Sequence, residues 1–195
     1  MLMRTTTKSK AAVSMKRAPA RKKAIKSSKE NLEDIFEDQL RDIYWAEKHL
    51  TKALPKMARA AFNDELREAF NTHLDETRMQ IVRLEKCFEL LEKKAMAKKC
   101  EAMQGLVEEG EEAIEEYDEG HARDAALIAA GQKVEHYEIS AYGTLRTMAN
   151  VLGKTQCAQL LEETKEEEAQ TDVKLTRLAE KINHLAAEMQ EEEVE

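Results

Sequence analysis

The chain is short of everything that interrupts a helix. Two prolines and six glycines are spread over 195 residues, aromatic residues make up 5%, and no useful run alternates apolar and polar residues. That scarcity excludes a strand-rich fold with many turns and, with abundant Ala, Glu, Leu and Lys, points to an all-α protein with short connections. The longest apolar run is a handful of residues, far below the ~20 that a membrane-spanning helix needs, so no membrane association is expected. Only three cysteines occur, Cys87, Cys100 and Cys157, with no Cys-x-x-Cys pair. An odd number of unpatterned thiols argues against a disulfide framework and fits a reducing compartment. The first 29 residues contain no Asp or Glu and lack the apolar core of a secretory signal. A cytoplasmic location is the simplest expectation.

What the chain does have is charge, unevenly placed. Of its 31 Lys and Arg residues ten fall in residues 1–29, leaving 21 against all 39 acidic residues, so a formal −18 body carries a basic arm. The arm has almost no large apolar side chains and is expected to be disordered. Ten positive charges could bind DNA non-specifically by displacing counterions from phosphates, or could simply confer solubility. Residues 30–190 are expected to form one helical domain, and residues 191–195 an acidic tail.

Four long amphipathic segments account for the body. The first runs from an N-cap at Asn31 to about Phe62, with Pro55 bending it or beginning a new turn; Asn63 and Asp64 make a corner. The second is expected from about Glu65 to Ala97. Residues 98–123, punctuated by Gly105, Gly110 and Gly120, can hold one short helix from about Met103 to Tyr117 that serves as a crossover. The third segment spans about Asp124 to Leu152, with Gly153 suited to a left-handed C-cap, and the fourth follows Lys154 to about Met189. Two antiparallel hairpins joined by one long crossover form the topology of a ferritin-like four-helix bundle.

The apolar stripes carry an anomaly. Phe36, Leu40, Ile43, Leu50 and Leu54 recur at steps of three and four, but the step between Ile43 and Leu50 is Glu47. On the third segment Leu127, Gly131, Val134, Tyr142 and Leu145 define a face that includes Glu138, with Glu135 one turn before it. On the fourth, Leu161, Thr164, Thr171, Leu175 and Leu178 leave the central step to Glu168, with Asp172 on the flank. The second segment carries His73, Glu76 and Gln80 along the edge of its stripe. An unpaired carboxylate costs too much in an apolar core for four helices to supply one each by accident. Shared cations would account for them, and oxygen-rich ligation with some nitrogen suits iron or, alternatively, manganese. The candidate metal ligands are Glu47, Glu76, Glu135, Glu138, Glu168, Asp172 and His73. The Glu-x-x-His pairs of di-iron bundles are absent, since Met79 follows Glu76 and Thr171 follows Glu168 at that spacing. Tyr142 reads as a core tyrosine with a bonded hydroxyl, and His136 as an outward-facing residue.

Four motifs in order carry a family resemblance. LEDIFEDQLRDIYWAEKHLTKALPKM (residues 32–57), HLDETRMQIVRLEKCFELL (73–91), KVEHYEISAYGTL (133–145) and EEEAQTDVKLTRLA (166–179) resemble the YciE/YciF-type ferritin-like proteins, a bacterial family associated with stress responses. The resemblance covers about residues 31–185. It implies a ferritin-like four-helix domain, a dinuclear metal centre with two ions per chain and a homodimer. It does not supply a defined reaction, although di-iron oxidase or peroxide-scavenging activity is compatible with such a centre.

Overall fold

The computed structural model describes residues 31–192, with side chains to 188; the basic arm and the final residues of the acidic tail lie outside the described residues. Five helices follow in order: α1 (Leu32–Ala60), α2 (Asp64–Leu90), α3 (Glu101–Glu116), α4 (His121–Val151) and α5 (Thr155–Glu192). There is no strand among the described residues. The architecture is a ferritin-like four-helix bundle of two hairpins, α1 with α2 and α4 with α5, with α3 in the crossover packed against α4 and α1. No helix among the described residues is long and apolar enough to cross a membrane.

The helix ends follow from local chemistry. Asn31 Oδ1 accepts from the Asp34 N–H at 2.9 Å, and Asn63 Oδ1 from the Leu66 N–H at 3.1 Å, satisfying donors that the first turn leaves free. Pro55 lies within α1 without ending it. α4 closes on Gly153 in the left-handed region, φ 71°, with the Lys154 N–H reaching back to Ala149 O at 2.8 Å.

The expected extension of the second helix to Ala97 is wrong. α2 stops at Leu90 because Glu92 adopts φ 53° and the Lys93 N–H returns to Phe88 O at 2.9 Å, a six-residue closure that satisfies the last carbonyls. The following residues run along α1 instead: the Lys98 N–H donates to Arg41 O at 3.0 Å and Arg41 Nε to Met96 O at 3.1 Å. The other ends move by a few residues. α1 stops at Ala60 rather than Phe62, α3 begins at Glu101, α4 begins at His121, and α5 persists to Glu192.

The core runs the length of the bundle. Phe36, Leu40, Ile43 and Leu50 from α1 meet Leu66, Phe70, Leu84 and Phe88 from α2, Leu127, Tyr142 and Leu145 from α4, and Leu161, Leu175 and Ile182 from α5. At its middle this apolar interior gives way to acidic side chains.

A buried carboxylate cluster as candidate metal centre

Glu47, Glu138 and Glu168 are each 0% exposed and Glu135 and His73 are 2% exposed. Each sits mid-helix, one or two turns from apolar side chains that hold its backbone in the core. α1 contributes Glu47, α2 His73, α4 Glu135 and Glu138, and α5 Glu168. His73, Glu135, Glu138 and Glu168 each offer one ligand atom such that all four atoms lie within 4.8 Å of one another, so this cluster could hold a metal ion. His73 Nε2 is 3.4 Å from Glu135 Oε1 and 3.8 Å from Glu168 Oε2, and its Nδ1 is 3.6 Å from Glu76 Oε2. Glu47 stands outside this group of four but is close enough to Glu138 and Glu168 for their charges to act on it.

Few donors serve these oxygens. Tyr142 Oη donates a short hydrogen bond to Glu47 Oε1, and Gln80 Nε2 donates one to Glu168 Oε1 while also reaching Glu167 Oε2 at 3.2 Å. Glu167 in turn takes a two-pronged pair from Arg83, at 2.6 and 2.5 Å. Glu47 Oε2, both oxygens of Glu138, Glu135 Oε2, Glu168 Oε2 and both ring nitrogens of His73 are buried without a hydrogen-bond partner. Buried polar atoms are rarely left so, and a bound cation could satisfy several of these seven at once.

The electrostatics agree. Burial is the largest cause pushing the carboxyls of Glu47, Glu135 and Glu138 well above the usual range, and mutual repulsion adds to it, from Glu168 on Glu47 and Glu135 and from Glu47 on Glu138. Glu168 is also raised by burial, with His73 opposing. Tyr142 is pushed up first by burial and then by Glu47 and Glu138. Four acids so placed must either bind protons or share positive charge.

Of the residues singled out from the sequence, Glu135, Glu138, Glu168 and His73 come together, and Glu47 adjoins them. Glu76 lies at the edge, its side chain 39% exposed, against His73. Asp172 is not part of the group: it accepts from Gln132 Nε2 at 3.1 Å and faces His136 Nε2 at 3.3 Å. His136 points outward, 70% exposed, and Tyr142 is the bonded core tyrosine expected. Gln80, noted only as an edge residue, proves to be buried and bonded to Glu168. Asp124 was missed. It is buried at the start of α4 and accepts the Phe62 and Asn63 N–H groups, both at 2.8 Å, which pins the α1–α2 corner. Its partners are more than 60 residues away, so no local pattern could have signalled it.

Comparison with known proteins places this geometry in a lineage. Residues 31–188 match the family described as Domain of unknown function (DUF892). The chain is 54% identical over 149 residues to Protein YciF of Escherichia coli (strain K12), an overlap of 76% of this chain and 90% of that protein. The crystal structure of the E. coli stress protein YciF superposes with a TM-score of 0.77 at 52% identity, covering 79% of this chain and 98% of that one. YcfI from Rhodopseudomonas palustris gives a TM-score of 0.73 at 42% identity, covering 75% and 94%.

Proposed function

The chain belongs to the DUF892 family, and from that premise we propose that it is a ferritin-like metal-binding protein of a stress response that holds two iron or manganese ions within its bundle. The observation that carries the reading is the set of buried, unpartnered ligand atoms contributed by four helices. The stress assignment follows the description of the E. coli relative. A homodimer, implied by the family resemblance, and a cytoplasmic location, expected from the unpatterned cysteines and the lack of a secretory core, belong to the same reading.

Room for a second cation is supported by the number of acids. His73, Glu135, Glu138 and Glu168 form one group within 4.8 Å, Glu47 acts electrostatically on Glu138 from α1, and Glu76 lies 3.6 Å from His73 at the edge. Glu168 acts electrostatically on Glu47 and lies 3.8 Å from His73, so it would hold a cation together with either. A bound redox metal would supply electron-transfer chemistry toward oxygen or peroxide. The protein's part is to bind, orient and exclude water. Tyr142 holds Glu47 by one oxygen, leaving the other for a cation. Gln80 does the same for Glu168 and ties it to the Glu167–Arg83 pair at the surface. Ile43, Leu50, Leu145, Leu161 and Leu175, all 1% exposed, keep bulk water from the turns on either side.

Anaerobic titration with ferrous iron tests the reading. The wild-type chain should take up about two equivalents, and the Glu47→Ala, Glu168→Ala double variant should lose that uptake. Wild-type binding no greater than that of the double variant would overturn it.

A further inference from the structure

At the end of the bundle where α2 finishes and α5 begins, Cys87 and Cys157 lie side by side. They are 0% and 2% exposed. Cys87 Sγ is 3.9 Å from Cys157 O and Cys157 Sγ is 3.7 Å from Cys87 O, so each sulfur lies against the other residue's backbone. Both are free thiols. Nothing in the carboxylate cluster uses them.

The two sulfurs are not equivalent. Cys157 is the third residue of α5, where free N–H groups and the helix dipole favour a thiolate. Its neighbour Cys87 and the positive charge of Lys154 lower its thiol, against burial. Cys87, near the C-terminal end of α2, has no such help, and its neighbour Cys157 and burial push its thiol up. Cys157, in the first turn of α5 and lining a surface cleft, is the thiol placed to attack, and Cys87, 0% exposed behind it, the one placed to resolve. An opening is present as well. A cleft of about 320 Å³ lined by Leu90, Leu91, Gly153 and Cys157 reaches this corner. The third thiol, Cys100, has a separate partner, Tyr137 Oη at 3.0 Å.

We propose that Cys87 and Cys157 form a peroxide-oxidisable dithiol whose disulfide clasps α2 to α5 and so joins the two helical hairpins. The Cys157 thiolate attacks one oxygen of a hydroperoxide, the O–O bond breaks, and the other oxygen leaves as water or an alcohol after taking a proton. Cys157 becomes a sulfenic acid. Cys87 sulfur then attacks the Cys157 sulfur, the S–O bond breaks, and the hydroxyl leaves as water with the Cys87 proton. Two thiols are oxidised to one disulfide and one peroxide is reduced. The cross-link closes a loop between positions 70 residues apart, long enough to restrict the unfolded chain substantially.

The full chain, kept in chelator so that the carboxylate cluster takes no part, is treated with hydrogen peroxide and its thiols are counted after denaturation. The count should fall from three to one, with a mass loss of two hydrogen atoms and a tryptic peptide pair linking Cys87 to Cys157. Cys100→Ser should still form the link. Cys87→Ser should stop at a dimedone-trappable sulfenic acid on Cys157, and Cys157→Ser should give neither link nor adduct, with helical circular dichroism showing both variants folded. Retention of all three thiols, or a link involving Cys100, would overturn the proposal. So would the Cys87–Cys157 link forming only after the chain has been unfolded. Because chelator is present throughout, this assignment and the metal reading can each fail without the other.

Discussion

Tyr142 on α4 donates its hydroxyl proton to Glu47 on α1, so a phenol and a carboxylate that are both fully buried complete one another across the bundle. Glu47 has no other donor, and its second oxygen is bare. Tyr142→Phe keeps the ring and leaves a buried acceptor unsatisfied, so it should cost about 1–3 kcal/mol in the metal-free protein. Chemical denaturation with chelator measures it. The loss should shrink when the protein is metal-loaded, since a cation then compensates Glu47.

The pH dependence of the metal-free protein has a fixed sign. Glu47, Glu135 and Glu138 hold their protons well above the ordinary value of 4.5, so above that pH the folded chain binds more protons than the unfolded one. Stability is then fully present below about pH 4.5 and declines as pH rises through the folded-state values. Thermal melts in chelator should fall progressively over that range. The Glu47→Gln, Glu138→Gln variant should show a shallower decline, and an equal slope in both proteins would contradict the assignment.

Metal loading should work in the opposite sense. Cations need ionised carboxylates, so uptake should release protons and raise the melting temperature most at neutral and mildly alkaline pH. A calorimetric titration in buffers of different ionisation enthalpy reads the proton release.

Gln80 offers a test of orientation without charge. It donates to Glu168 and also contacts Glu167, which Arg83 holds. Gln80→Leu removes the donor from a ligand's far oxygen and should weaken metal binding by about 10–100-fold, the range found for such outer partners. Arg83→Lys should have a smaller effect in the same direction.

Asp124 bears on the fold rather than the centre. Asp124→Ala removes two charge-assisted hydrogen bonds to the Phe62 and Asn63 N–H groups and should destabilise the protein by about 3 kcal/mol or more. Denaturant unfolding should show that loss with the midpoint shifted and the slope unchanged.

These residues also show what one-dimensional pattern can carry. Glu47, Glu138 and Glu168 were legible because each replaces an apolar residue at a step of three or four, and burial in a helix follows that period. Asn31, Asn63 and Gly153 marked helix ends because their chemistry is local. The end of α2 was not legible. Leu91 to Ala97 have good helix propensity, and what turns the chain at Glu92 is the backbone closure onto Phe88 together with the Arg41 contacts to Met96 and Lys98. Asp172 lies one turn from Glu168 by spacing, and which neighbours it meets, Gln132 and His136, is set by packing against α4 that spacing does not carry. His73 and Gln80 lay where the edge of a stripe meets the core, and only packing against α4 and α5 decided that both are buried.

The most direct measurement is anomalous diffraction at the iron or manganese edge from crystals of the metal-loaded full chain. Two peaks are expected inside the bundle, within about 2.0–2.6 Å of oxygens from Glu47, Glu135, Glu138 and Glu168 and of a His73 nitrogen, the range of metal–ligand bonds. Peaks confined to the surface, or none among these five side chains, would contradict a metal centre built from the buried carboxylates.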